Sequence, residues 1–398
     1  MTPSGALAGM RVLDLTRLIA GSYCGMMLAD LGAEVVKVES PFHGDDSRDL
    51  GPILHGESTY FANFNRNKTG ITLNLKHPEG KALFLRMVQR FDVVLENFRP
   101  GTMENWGLGY DTLRASNPAL VYGEVSGFGS EGPYQNRAGF DLVAQAMSGL
   151  MSVTGWPGQQ PVRAGTSIGD ICGGMVLTIG VLAAYQNASR TGLGQKVDVS
   201  LTDALISAMT IVNMQHLNGG EEPAPTGNRY EAVYPYDSYR TADGTIVIAC
   251  GNDRLFYRLA EAMGRPELRD DPRFQRTPMR IKYHQELKVL IENWLAGYTS
   301  RQASEILEQN GLPYGSILTP TQVATDPHFS EIRQMFPQVE QPLAGRIRVT
   351  GNPVKLCGTP MGALRPAPQL GQNNTAFYTG ELGLSQETLQ RLKAEGVL

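Results

Sequence analysis

The sequence predicts an α/β fold whose N-terminal portion is a doubly wound, mainly parallel sheet. Short runs rich in β-branched residues recur at residues 11–15 (RVLDL), 34–39 (EVVKVE), 70–75 (GITLNL), 92–96 (DVVLE) and 119–126 (ALVYGEVS). Helical stretches lie between them. Residues 19–31, rich in small side chains, end at Gly32, and residues 78–90 open on Pro78, which suits a first helical turn. A strand, a helix and a second strand therefore open the chain, and such a unit implies parallel pairing with a right-handed crossover.

Further along, the pattern predicts helices at 141–151 and 170–185, a strand at 195–201 and a helix at 202–217. Residues 218–228 (NGGEEPAPTGN) are polar and rich in Pro and Gly, which marks a domain boundary. Beyond it, residues 239–250 read as a hairpin turning at Ala242, Asp243 and Gly244. Helices at 253–263, 282–296 and 301–308 complete a small α/β module. Short strands and loops follow from about residue 312, with a last helix near 386–395. The organisation expected is a large domain over 1–217, a smaller inserted domain over 218–311, and a return to the large domain over 312–398.

At 398 residues the chain exceeds what one core usually holds. Its net charge, 35 − 39 = −4, argues against a broad nucleic-acid face. The first residues lack the basic and apolar regions of a secretory signal. The longest apolar candidate, 173–185, is short for a bilayer and broken by glycine, so no membrane partner is expected. Cys24, Cys172, Cys250 and Cys357 form no CxxC pair, and the six histidines form no HxxxH pattern. Reduced, mostly buried cysteines, a cytoplasmic location and no metal or other cofactor are the expectations.

Two motifs resemble catalytic signatures without their context. Residues 127–132 fit GxGxxG after a strand, but Pro133 follows and no helix opens to meet a pyrophosphate. Residues 165–169 fit GxSxG around Ser167, but 161–164 make a poor strand for a nucleophile elbow. Asp170 is more informative. It stands at the start of an apolar helical stretch, where free N–H groups and the helix dipole should keep it ionised, and an ionised carboxylate is a nucleophile rather than a general acid. Gly173 and Gly174 leave that first turn bare for a large ligand. An ordinary capping aspartate is the plainer alternative.

Many segments in one order resemble the class III CoA-transferases, the group of formyl-CoA transferase and carnitine CoA-transferase. They include GMRVLD (9–14), LGAEVVKVE (31–39), GDDSR (44–48), ENFRPG (96–101), SGFGSEGP (126–133), GFDLVAQAMSG (139–149), GTSIGDICGG (165–174) and GQKVDVSLTDA (194–204). DPRF (271–274) and DPH (326–328) extend the likeness to the C-terminal half. The resemblance implies a Rossmann-like large domain built from both chain ends, an inserted smaller domain and an interlocked homodimer. It makes Asp170 the nucleophile that passes CoA from an acyl-CoA donor to a carboxylic acid through an aspartyl anhydride and an aspartyl-CoA thioester. CoA contacts carried over from the family are Arg17 and Ile19, then Leu73, Asn74 and Lys76, then Asn97, Phe98 and Arg99, then Arg137, Phe140 and Asp141.

The segments 44–48, 96–103 and 252–256 are most similar to acetyl-CoA:oxalate and dicarboxylate members, which points to oxalate or another small dicarboxylate. Two features depart from the family pattern. Asn105 stands where relatives often carry a basic residue, and a glycine run that closes over the site in the oxalate-handling formyl transferase has no counterpart. Racemase relatives place a histidine where this chain has Phe140, and a benzyl ring exchanges no proton, so transfer is favoured over racemisation. A thioesterase using Ser167 is the other alternative.

Overall fold

Six strands of four to six residues form a parallel sheet in the computed structural model, which describes residues 5–220 and 222–398. They are β1 (Arg11–Asp14), β2 (Glu34–Glu39), β3 (Thr69–Thr72), β4 (Val93–Glu96), β5 (Val121–Ser126) and β6 (Lys196–Ser200). Their order is β3-β2-β1-β4-β5-β6, and every neighbouring pair is parallel. Val12 of β1 lies between Val35 and Val93. The near-continuous valines of β2 and β4 follow from burial on both faces, since helices cover each side of such a sheet. This is the doubly wound order, and it reverses direction between β1 and β4.

One face carries α1 (Ala20–Asp30) and α4 (Ile168–Thr191), whose Leu177 and Val181 join Val12, Val93, Val121 and Val125 in one core. Gly123 lies mid-β5, where an added Cβ would stand 2.9 Å from Val181. On the other face, α2 (Pro78–Val88) packs with the C-terminal helices Asn374–Leu382 and Gln386–Ala394 around Phe84, Met87, Tyr378 and Leu392. The same C-terminal segment covers the exposed edge of β3. Asn373 and Asn374 accept from the Gly70 and Thr72 amides at 2.9 and 2.8 Å, and Tyr378 donates to the Thr72 carbonyl at 2.8 Å. Unpaired edge groups are thereby satisfied within the chain.

Two compact units emerge. The first holds Met1–Met151, Arg163–Glu221 and Pro327–Leu398; the second holds Ser152–Val162 and Glu222–Asp326. The second is wider than an insertion over 218–311, because it takes in 152–162 and 312–326. It has a three-stranded antiparallel sheet of β7 (Tyr236–Arg240), β8 (Thr245–Ala249) and β9 (Tyr314–Ser316), with β8 central. Helices Asp253–Ala262, His284–Leu295 and Ser300–Gln309 contribute Phe256, Leu259, Leu287, Ile291 and Leu307 to its core.

The structure departs from the sequence reading at several elements. Helix α4 runs 24 residues rather than from 170 to 185, and is long and apolar enough by length and composition to cross a membrane. Part of it packs against the sheet and α1 in the first unit's core. Gly173 and Gly174 are buried: an added Cβ would stand 2.7 Å from Leu201 and 2.5 Å from the Ala20 carbonyl oxygen, respectively. They serve close packing, not ligand access. The helix read at 202–217 is two, α5 (Leu201–Ala208) and α6 (Thr210–Gly219), which meet at Met209. The helix read at 141–151 stops earlier, as α3 (Asp141–Met147). Cys24 and Cys250 are buried as expected, while Cys172 is half-buried and Cys357 exposed.

Candidate active site

A cavity of about 810 Å³ opens at the carboxyl ends of the parallel strands, wholly within the first unit. Each strand contributes its last residues or those just beyond it: 15–20 after β1, 38–40 and 42–46 at the end of β2, 73–76 after β3, 97–100 with Thr102 and Trp106 after β4, 125–127 at the end of β5 and Leu201 after β6. The crevice lies where the strand order reverses, the place at which open α/β sheets bind ligands.

The turn between β1 and α1 has no repeating hydrogen-bond ladder of its own, and side chains from elsewhere hold it. Asp14 accepts from the Thr16 amide at 2.9 Å, and Lys37 Nζ donates to the Thr16 carbonyl. Asn97 accepts from the Arg17 amide at 2.7 Å and donates to the Arg17 carbonyl at 2.8 Å. Asp45 accepts from the Leu18 amide at 3.1 Å. Leu18 has φ of 61°, the left-handed region that a branched apolar residue rarely enters. Lys37 and Asp45 pair at 2.8 Å with both side chains fully buried. Burial opposes both charges; nevertheless Lys37 and the Ser47 and Leu18 amides hold Asp45 down to about 2, and Asp45, Asp14 and Glu39 keep the Lys37 ammonium above its ordinary range.

The loop after β4 is anchored by Glu96. Its carboxyl accepts from the Phe98 amide at 2.6 Å and meets the Tyr122 hydroxyl at 3.0 Å. Burial, then the neighbouring Glu124, pushes Glu96 up to about 8. A group raised in the folded state stabilises the fold at low pH and loses that contribution as pH rises from its unfolded value through about 8. Gln at this position keeps an acceptor for the Phe98 amide, and its NH2 replaces the oxygen that accepts from Tyr122, whose hydroxyl can turn to accept instead. Glu96→Gln should therefore match wild type in denaturant unfolding at pH 5 and exceed it by a few kcal/mol at pH 9. A stability difference that does not change between those pH values would refute the assignment.

Asp170 lines the cavity from the third position of α4. Its carboxyl is raised to about 7, first by burial and then by Asp141, and it forms no salt bridge among the described residues. Position alone leads one to expect an ionised aspartate, but desolvation and a second carboxylate raise this one. Asp141, from α3, accepts from the Gly169 amide at 2.7 Å and so occupies the capping role. Ser167 makes no capping bond and does not line the cavity.

Of the other residues named from sequence, Arg17, Ile19, Leu73, Asn74, Lys76, Asn97, Phe98, Arg99, Arg137 and Phe140 all line this cavity. Asp141 does not; its carboxylate is turned into α4. Phe140 is 66 % exposed and does not pack in the core. Lys76 stands 5.9 Å over the Trp106 ring, and Phe98 meets that ring edge-on at 5.3 Å. Sequence reading missed Trp106, His43 and Asp46, each of which follows a strand end. It also missed Tyr60, whose hydroxyl is held neutral, up to about 12, by burial and then by Asp170 and Asp45.

With this geometry in view, relatives are informative. The sequence pattern of CoA-transferase family III matches residues 7–374. The chain belongs to that family. It is 41% identical to succinyl-CoA–D-citramalate CoA-transferase of Chloroflexus aurantiacus over 398 residues, covering 100% of this chain and 99% of the relative. It is 38% identical to acetyl-CoA:oxalate CoA-transferase of Acetobacter aceti, covering 94% and 95%. A CaiB/BaiF family protein from Brucella suis, solved by crystallography, superimposes with a TM-score of 0.82 at 34% identity, covering 95% and 100%. As a member of family III, the chain is a CoA-transferase.

Proposed function

We propose that this CoA-transferase moves CoA from an acyl-CoA donor to a small dicarboxylate, with Asp170 as the covalent carrier. The observation that carries the reading is a cavity-lining carboxyl raised to about 7 that forms no salt bridge among the described residues. A basic, uncompensated carboxylate is a better nucleophile than one neutralised by a cation. Asp170 oxygen attacks the donor thioester carbonyl and the carbon–sulfur bond breaks, leaving an aspartyl mixed anhydride and CoA thiolate. The thiolate attacks the aspartyl carbonyl, expels the donor acid and forms an aspartyl-CoA thioester. The acceptor carboxylate attacks that carbonyl and releases thiolate, which then takes the acceptor acyl group and restores Asp170. One thioester replaces another, so the cycle closes without ATP or metal.

Arg17, Lys76, Arg99 and Arg137 supply cationic groups for the phosphates of CoA, and Phe98 with Trp106 an aromatic surface for its base. Phe140 contributes an apolar wall that shields the anhydride from water. The dicarboxylate assignment rests on the named activities of the relatives. Incubation with succinyl-CoA or acetyl-CoA and a panel of mono- and dicarboxylates, read by mass spectrometry of new thioesters, tests it. Turnover confined to monocarboxylates would exclude it.

We further propose an interlocked homodimer. Large apolar side chains stand exposed along consecutive elements: Leu142 and Met147 on α3, Ile179 on α4, Ile206 on α5, and Met214 and Leu217 on α6. These helices are packed neighbours, and exposed apolar side chains gathered on neighbouring helices mark a protein interface. Light scattering should return twice the 43.4 kDa chain mass at every practical dilution. An active monomer would overturn this.

A further inference from the structure

The best-built polar cluster beside the cavity lies behind Asp170 rather than in front of it. Asp141 Oδ1 accepts from the Gly169 amide at 2.7 Å and from the Asp170 amide at 3.4 Å. Its Oδ2 accepts from Gln145 Nε2 at 2.7 Å, and Gln145 Oε1 in turn accepts from the Ala164 amide at 2.9 Å. Gln145 is fully buried and Asp141 nearly so. An added Cβ on Gly169 would stand 3.0 Å from Asp141 Oδ1, so glycine there lets the carboxylate reach the helix end. Both carboxylate oxygens and both ends of the Gln145 amide are thus used on the segment 164–170 and on each other.

We infer that Asp141 and Gln145 are positioning residues that fix the start of α4 and aim the Asp170 carboxylate into the cavity, and that Asp141 is not a CoA ligand. The inference rests on Asp170 being the nucleophile. An anionic cap on the first turn locks the backbone of the attacking residue, and small misplacements of such a group cost large factors in rate. Asp141 also faces Asp170 as a second negative charge. Among the described residues, Tyr60, from the helix Thr59–Asn65, faces Asp170, and Cys172 on α4 faces Asp141.

Two variants separate the cap from the charge. Asp141→Ala removes both, and should lower kcat about 100-fold while the KM for the acyl-CoA donor stays within about threefold. Hydrogen exchange at the Gly169 amide, slow in wild type, should become fast in that variant. Asp141→Asn keeps an acceptor for the Gly169 amide, loses the charge, and gives up the bond from Gln145 Nε2, which then faces an NH2 group. It should retain slow exchange and shift the acidic limb of the kcat/KM profile to lower pH than in wild type, because the second carboxylate that raises Asp170 is gone. Gln145→Leu should lower kcat about tenfold with KM unchanged, and serves if Asp141→Ala does not fold. A tenfold rise in KM at constant kcat in Asp141→Asn would make Asp141 a CoA ligand and overturn the inference. So would wild-type kinetics alongside lost exchange protection. Failure of the nucleophile reading shows separately, as a wild-type protein that never carries CoA on Asp170; the exchange experiment then still decides whether the clamp exists.

Discussion

Asp170→Ala should abolish CoA transfer, with turnover reduced by about 10⁴-fold or more, because nucleophilic catalysis is lost entirely rather than weakened. The cavity is lined largely from six strand ends, and among the described residues the hydrogen bonds that hold its loops come from Asp14, Lys37, Asp45, Glu96 and Asn97 rather than from the Asp170 side chain. Folding and donor binding should therefore stay near wild type, as measured by denaturant unfolding and by calorimetric titration with CoA. Asp170→Asn preserves shape but offers no oxyanion, and should be equally inactive. Wild-type protein trapped with donor alone should carry CoA on the peptide containing Asp170. Ser167→Ala should leave transfer intact, since Ser167 does not line the cavity. Substantial turnover by the Ala variant at Asp170 would end the proposed mechanism.

The second large effect is on stability. Lys37→Met should destabilise the protein by about 3–5 kcal/mol, because it leaves Asp45 buried and without its cation. The Leu18 and Ser47 amides still donate to Asp45, at 3.1 and 2.9 Å, which sets the loss at this level rather than higher. The double variant Lys37→Met, Asp45→Asn should recover much of that loss, since no charge is then stranded. Asp45 also predicts acid sensitivity. Held down to about 2, it contributes stability above its unfolded range, near pH 4, that disappears as pH falls towards 2. Unfolding in urea measures each of these, and a single-variant loss under 1 kcal/mol would show that the pair contributes little.

Much of the sheet was legible because its strands are buried on both faces. Runs such as VVKV and VVLE leave little alternative, and β1, β2, β4 and β5 fell within a residue or two of their observed bounds. What caps α4 was less legible. The helix, expected from 170, begins at Ile168, and Asp141, nearly thirty residues earlier, supplies its cap. A partner that distant leaves no local signal. For the same reason the ionisation of Asp170 was misjudged: position predicts the helix dipole, whereas desolvation depends on what folds over the site. The cavity residues carried over by family likeness clustered because they follow strand ends. Asp141, adjacent to Phe140 in sequence, points elsewhere because it is the first residue of a helix, where neighbouring side chains fan apart.

The turn between β1 and α1 is hung from Asp14, Lys37, Asp45 and Asn97, residues spread over more than eighty positions and four separate segments. No part of the chain can shape that turn alone. The mouth of the cavity therefore comes into existence only when β1, β2 and β4 are already side by side, and it cannot loosen without giving up buried charge pairs of the core. Local opening, the usual origin of loop mobility, would cost this turn the buried Lys37–Asp45 pair. A chain in which β1, β2 and β4 have not yet met lacks this wall of the cavity.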